Sequence, residues 1–259
     1  MDLDLAGKRV LVTGASKGIG LAVVRAFRAE GADVVAVSRR STPELEATGA
    51  AFVAADLSVP DGPRRAVEAA GDRIDVLVNN AGGGTVSEGS FGDPLDGSDD
   101  DWDDVFALNL FAAVRVTRAA LPALLRARGA VVNISSDSAR RPMGVPLPYA
   151  TAKGALDTFS RGLAEKVAAD GVRVNVVTPS GTRTPLMEGE GGYAAQVAAH
   201  FGLDHADMVK AMPGQNGMLT GELIEPDEIA RAVLLLASPT MPSAIGSNWA
   251  VHAGALKNP

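Results

Sequence analysis

Tyr149 and Lys153 stand four residues apart in Tyr149-Ala-Thr-Ala-Lys153, a stretch that reads as the start of a helix. Pro148 suits an early helical position, where its missing N–H costs nothing. Residues at this spacing share a helical face, so the phenol and the ammonium can point into one space. An ammonium beside a phenol favours phenolate and draws the tyrosine below its ordinary pKa of about 10. A tyrosine so placed can donate or accept a proton near neutral pH. The same pair also occurs on solvated helix faces, so by itself it does not define a site.

A second chemical signal lies near the start. Gly14-Ala-Ser16-Lys17-Gly18-Ile19-Gly20 follows the apolar run Arg9–Thr13 and opens an amphipathic helix. Glycines there let the backbone approach a pyrophosphate, while the helix N-terminus offers free N–H groups. The spacing is G-x-x-x-G-x-G. Gly14 to Gly18 also matches G-x-S-x-G, the nucleophile elbow of α/β-hydrolases, with His200, His205 or His252 as nominal triad partners. That reading is set aside on position: an elbow needs earlier strands and an oxyanion-hole loop before it.

The elements that must position these groups alternate. Strands are expected at 9–13, 33–38, 51–55, 74–79, 130–135, 172–178 and 247–251. Helices are expected after Gly14, from Pro43, at 60–70, from Ser98, at 149–169 and from Pro226 to Leu236. Ser98-Asp-Asp-Asp101 has the capping-box pattern, and its acids complement the positive helix end. The stretch 82–97 is a loop rich in glycine and acid. Regular strand–helix alternation predicts an α/β fold, a Rossmann-type doubly wound parallel sheet of about seven strands with helices on both faces. Its ligands belong at the carboxyl ends of the strands. With no linker or repeat beyond the alternation, residues 1–259 read as a single domain.

Composition agrees. Hydrophobic content of 46% with only 4% aromatic fits a core of Val, Ala, Leu and Ile, as buried parallel strands require. The absence of cysteine excludes disulfides, thiolate catalysis and cysteine-ligated metals, and fits a reducing cytoplasm. A net charge of −7 argues against nucleic-acid or anionic-membrane partners. Asp2 and Asp4 stand where a signal peptide needs positive charge, and no uninterrupted apolar run is long enough to span a bilayer. A soluble cytoplasmic protein is expected.

Taken together, Thr13 to Gly20, Asn79-Asn80-Ala81-Gly82, Asn109 within a helix, Asn133-Ile-Ser-Ser136 and Tyr149-x-x-x-Lys153 resemble the short-chain dehydrogenase/reductase family. The resemblance covers nearly the whole chain. It implies that Tyr149 is the general acid/base and that Ser136, thirteen residues earlier, orients the substrate carbonyl in preference to Ser135. It further implies that Lys153 lowers the tyrosine pKa and hydrogen-bonds the nicotinamide ribose, and that Asn109 holds a water of the proton relay. Gly14, Ser16, Lys17, Gly18, Ile19 and Gly20 would form the phosphate turn. Asp56 and Leu57 would meet the adenine, and Asn80, Ala81 and Gly82 would line the adenosine ribose. Pro179, Thr182 and Thr184 would face the carboxamide and phosphates.

NAD-preferring members place an Asp where Ser38 stands. Here no carboxylate would repel a 2′-phosphate, and Arg39 can pair with one through its guanidinium fork, with Lys17 and Arg40 adding charge. NADP(H) is therefore expected over NAD(H). Two departures stand out: Pro179-Ser180 replaces the usual Pro-Gly, and Val251-His-Ala-Gly254 replaces Val-Asp-Gly-Gly near expected subunit contacts. Residues 186–223, with Met187, Met208, Met212 and Met218, resemble the family's variable substrate lid and show no clear strand. Methionine at such spacing more often belongs to core than to pocket. His200 and His205 have no metal-ligand partners nearby and read as solvated helix residues, so no metal is expected.

The implied activity is NADP(H)-dependent interconversion of a carbonyl and an alcohol by a homotetramer or homodimer. The alternatives are an NAD-dependent alcohol dehydrogenase of the same fold and a cofactor-binding regulatory protein without turnover.

Overall fold

The computed structural model describes residues 1–83, 95, 97–142 and 146–257. Most of the expected 82–97 loop therefore lies outside the described residues.

The strands are β1 (Arg9–Thr13), β2 (Asp33–Ser38), β3 (Ala51–Ala54), β4 (Val76–Asn79), β5 (Ala130–Ile134), β6 (Arg173–Pro179) and β7 (Asn248–Val251). Among the described residues they form one seven-stranded sheet in the order β3-β2-β1-β4-β5-β6-β7, every neighbouring pair parallel. The first half of the order runs outward from β1 through β2 to β3, and the second from β4 through β7. The direction of winding thus reverses between β1 and β4, and the crevice beyond their carboxyl ends is where such a sheet binds ligands.

Side chains alternate across each strand. Val10, Val12, Val34, Ala36, Val76 and Val78 pack into one core layer with α1 (Gly18–Ala29) and α10 (Pro226–Ala237). Leu11, Val35, Val37, Leu77 and Val131 enter the opposite layer with α3 (Asp61–Ala70), α5 (Ala112–Ala127) and α6 (Leu147–Val167). Both faces are covered, which is why the strands read as almost continuous apolar runs. The short α2 (Pro43–Glu46) is capped by the Thr42 hydroxyl, which accepts from the Leu45 N–H at 3.3 Å.

The capping box stands as expected. Ser98 accepts from the Asp101 N–H, and the Asp101 carboxylate accepts from the Ser98 N–H, opening α4 (Asp99–Phe106). A π-helical segment, Ala107–Phe111, joins α4 to α5. Within the resulting run Asp99–Ala127 an 18-residue window reaches a mean hydropathy of 1.4, enough by length and composition alone to cross a membrane. Asp103, Asp104, Arg115 and Arg118 interrupt it, so the expectation that no uninterrupted apolar run spans a bilayer stands. The apolar content has another use here, since Ala112, Ala113, Val116, Ala120, Ala123 and Leu124 are buried within the fold.

After β6 the chain folds as helices: α7 (Pro185–Glu188), α8 (Tyr193–His200) and α9 (His205–Gln215). Ala194, Met212 and Leu223 make a small separate core, with Met187, Met208 and Val209 packed on it, while Met218 joins the main core. The methionines are thus packing residues of this segment.

Arg173 at the start of β6 is buried, and its guanidinium closes the end of α10 by donating to the carbonyls of Leu236 (2.7 Å), Ala237 (2.8 Å) and Ser238 (3.0 Å). Replacing Arg173 with methionine keeps volume but leaves three buried acceptors unpaired. A loss of about 2–4 kcal/mol is expected in urea unfolding, and an unchanged midpoint would refute this role.

Candidate active site

The glycine turn is built by close approach. Gly14 (φ +65°) and Gly18 (φ +55°) take left-handed backbone that favours glycine. A Cβ on Gly20 would lie 2.2 Å from the Gly14 carbonyl oxygen and 2.5 Å from Asn80 Nδ2. No side chain fits there, so the start of α1 lies directly against the end of β1. Thr13 and Asn80 lock the arrangement. Thr13 Oγ1 accepts from the N–H groups of Asn80 and Ala81, both at 3.0 Å, and Asn80 Nδ2 donates to the carbonyls of Thr13 (2.9 Å) and Gly14 (3.1 Å). The result is a cradle of bare backbone at the positive end of a helix, which fits a pyrophosphate. Lys17 is exposed beside it, Ser16 accepts the Thr42 hydroxyl at its carbonyl, and Ile19 packs on the core.

Ser38 ends β2 buried, its hydroxyl donating to the Arg40 carbonyl at 2.7 Å. Arg39 and Arg40 are exposed, and among the described residues neither has an ion pair. Asp56 follows β3 on the surface. Its carboxyl is held below the usual value chiefly by hydrogen bonds from the Ser58 side chain and backbone, with a smaller contribution from Arg39. Leu57 turns its side chain into the core, so only its backbone can meet a ligand.

At the carboxyl ends of β4 and β5 the reactive groups converge. Lys153 is buried and donates from Nζ to the Ile134 carbonyl at 2.9 Å, and Nζ lies 5.8 Å from the centre of the Tyr149 ring. A Cβ on Gly82 would stand 2.9 Å from Asn109 Oδ1 and 3.2 Å from Lys153 Nζ, so this glycine is the spacer between the two side chains. Asn109 sits in the π-helical segment and clasps Gly83, accepting from its N–H and donating to its carbonyl, each at 3.0 Å. It also donates to the Val105 carbonyl one turn back at 2.9 Å. Its side chain therefore fixes the chain after β4.

Ser136 caps the short turn Asp137–Ala139, where its oxygen accepts from the Ser138 N–H (3.2 Å) and hydroxyl (2.7 Å). Ser135 instead turns its hydroxyl inward, as expected of a strand-end residue.

The electrostatics differ from the sequence expectation. Burial pushes the Tyr149 phenol up to about 12; Ser136 pulls it down, while Asp137 and Tyr193 push it further up. Desolvation outweighs whatever favours phenolate here, so the net shift is upward rather than the downward one expected from the neighbouring ammonium. Burial also pulls Lys153 down to about 8, against a rise from the Asp157 carboxylate. At neutral pH the site thus holds a neutral phenol beside a charged lysine close to its titration point, a combination suited to giving a proton away.

Pro179 ends β6, and Ser180 replaces the usual glycine without breaking the turn. Thr182 is buried and donates to the Ser180 carbonyl at 2.8 Å, and the Ile224 N–H donates to the Gly181 carbonyl at 2.9 Å. Thr184 packs its methyl where a Cβ on Gly18 would meet it at 3.0 Å, which brings this segment to the glycine turn. Near the chain end, Ala253 takes positive φ (+49°) where the family pattern has glycine. His205 is half-buried and bonds the Met187 carbonyl through Nε2 at 2.7 Å, while His200 is exposed and stacks edge-on against Phe201. The expectation of two solvated histidines holds for His200 only. Among the described residues no group of acidic or histidine side chains is placed to hold a metal.

Sequence reasoning missed Thr13 as the lock of the turn, and Asp137 and Tyr193 as charged and phenolic neighbours of Tyr149. Thr13 was visible only as a motif letter. Tyr193 lies 44 residues downstream of Tyr149, so only the fold reveals its proximity.

Comparisons with known proteins agree with this fold. The family model for short chain dehydrogenases matches residues 8–191. An L-xylulose reductase of Bos taurus is 34% identical over 99% of both chains, and an uncharacterised oxidoreductase of Bacillus subtilis is 33% identical over 100% of both. The crystal structure of L-sorbose reductase from Gluconobacter frateurii, complexed with NADPH and L-sorbose, superposes with a TM-score of 0.88 at 30% identity, covering 100% of both chains.

Gly82→Ala tests the spacing directly. The added methyl must displace Asn109 or Lys153, so turnover should fall by about 10- to 100-fold while thermal unfolding changes little. Unaltered turnover would show that the close packing around Gly82 is not needed.

Proposed function

The chain belongs to the short-chain dehydrogenase family, and from that premise we propose that it is an NADP(H)-dependent oxidoreductase interconverting a small polyhydroxy ketone and its alcohol. The observation that carries the reading is the meeting of Tyr149 and buried Lys153 at the carboxyl edge of the sheet, beside a glycine cradle no side chain could enter. Gly14, Gly18, Gly20 and the first N–H groups of α1 would hold the cofactor's pyrophosphate, with Asp56, Leu57, Ala81, Pro179, Thr182 and Thr184 around the rest. When bound, the cofactor supplies or accepts hydride at the nicotinamide and, oxidised, adds a positive charge that favours phenolate.

In reduction, Ser136 holds the substrate carbonyl and Tyr149 gives its proton to the carbonyl oxygen as hydride reaches the carbon. The neutral phenol is the form that can do this, and the Lys153 ammonium stabilises the phenolate left behind. In oxidation Tyr149 takes the proton back from the alcohol. Asn109 keeps the chain after β4 in place beside Lys153.

Arg39, Arg40 and Lys17, with no carboxylate at Ser38, support NADP(H). The names of the L-xylulose and L-sorbose reductases support a ketose, and the polar neighbours Ser138, Asp137 and Tyr193 suit hydroxyl groups. A cytoplasmic homo-oligomer belongs to the same reading, supported by the net charge of −7 as regards nucleic acid and membrane.

Tyr149→Phe should lower ketose reduction by at least about 100-fold while nucleotide binding persists; reduction at the wild-type rate would overturn the mechanism. Arg39→Ala should weaken NADPH about 10-fold relative to NADH, measured by titration of the cofactor's fluorescence. An unchanged preference would favour the NAD-linked alternative, and failure of every carbonyl substrate despite tight binding would favour a regulatory protein.

A further inference from the structure

Asp157 is a half-buried carboxylate for which the mechanism above has no use. It stands one helical turn beyond Lys153 on α6, on the same face. Asn248 of β7 donates to its Oδ2 at 3.2 Å, while Oδ1 and the neighbouring Ser135 hydroxyl, which favours the carboxylate, are both sealed from solvent. A carboxylate enclosed in this way is costly unless its charge serves a neighbour.

We propose that Asp157 is the counter-charge that keeps Lys153 protonated at working pH, a positioning residue that acts on the reaction only through that lysine. The inference rests on the roles proposed above for Tyr149 and Lys153.

Each element packed around the carboxylate is consistent with this. From α6 itself come Lys153 and, farther along the same surface groove, Arg161 and Glu165, which pair with each other at 2.7 Å. From the turn after β5 come Ser135 and Arg140, and from β7 the neutral Asn248. Burial raises the Asp157 carboxyl, while Ser135, Arg140, Lys153 and Asn248 all favour its ionised form. Reciprocally, Asp157 raises Lys153 against the desolvation that drags it down to about 8. The direction follows. Without the carboxylate Lys153 loses its proton at lower pH, and reduction, which needs the ammonium, should fail at lower pH as well. A purely structural tie between α6 and β7 would leave both quantities unmoved.

Asp157→Asn keeps the shape and one acceptor oxygen for Asn248 and removes the charge; Asp157→Glu retains the charge as a control should the first variant fold poorly. Nitrogen-15 NMR of the Lys153 side chain, assigned by its loss in Lys153→Arg, reads the titration without any turnover. The expected result is a wild-type midpoint near 8, moved down by about one pH unit in Asp157→Asn and largely restored in Asp157→Glu. The alkaline limb of kcat/KM for ketose reduction should move by the same amount. An unmoved Lys153 midpoint overturns the inference. A midpoint that moves while the rate profile stays fixed upholds the pairing of Asp157 with Lys153 and instead overturns the assigned role of the lysine in catalysis.

Discussion

The constraint on which this structure turns is an ammonium held out of water beside a phenol. Desolvation opposes charge on both groups, raising the tyrosine and lowering the lysine. Neither effect follows from the two residues alone. It follows from where the sheet puts them, at the closed ends of β4 and β5 with α6 laid across. The Ile134 carbonyl and the Asp157 carboxylate are what offset the cost of keeping Lys153 there.

The surrounding elements can be understood as supports for that arrangement. Close packing of Gly20 on Gly14 sets α1 against β1, and Thr13 with Asn80 carries the same rigidity across to the end of β4. From there Gly83 hands it on to Asn109, whose side chain reaches from the π-helical segment to Gly83 and back to the Val105 carbonyl. A local departure from α-helical pairing is a known companion of functional positions, and here it turns a helix residue toward the backbone of a facing loop. Hydrogen bonds thus tie the phosphate cradle to the end of β4, and Asn109 stands beside Lys153 across Gly82.

Much of this was legible in the sequence. Continuous apolar runs located β1 and β2 to the residue, Ser98 and Asp101 announced α4, and ordered motifs placed Tyr149, Lys153 and the glycine turn at strand ends or on the helices that follow them. What escaped were properties that only burial or distance creates. The direction of the Tyr149 shift was misread because spacing reports a neighbouring charge but not the water removed from around it. Residues 185–215 gave no strand pattern and proved to be three helices, whose apolar content serves a core of their own. The apolar content of 99–127 did not stand out because polar residues interrupt it, and its buried positions gather between Ala112 and Leu124. Asp157, four residues from Lys153, was in plain view and still gave no signal until its enclosure was known.

The central claim is that burial holds the Tyr149 phenol neutral and that the oxidised cofactor brings it into its working range. With only two tyrosines in the chain, carbon-13 NMR of ring-labelled protein can follow Tyr149 directly, with Tyr149→Phe for assignment. The account predicts a phenol still neutral above pH 10 in the free protein, and a titration moved to lower pH when NADP+ is bound. A Tyr149 that titrates near 10 in both states would contradict it.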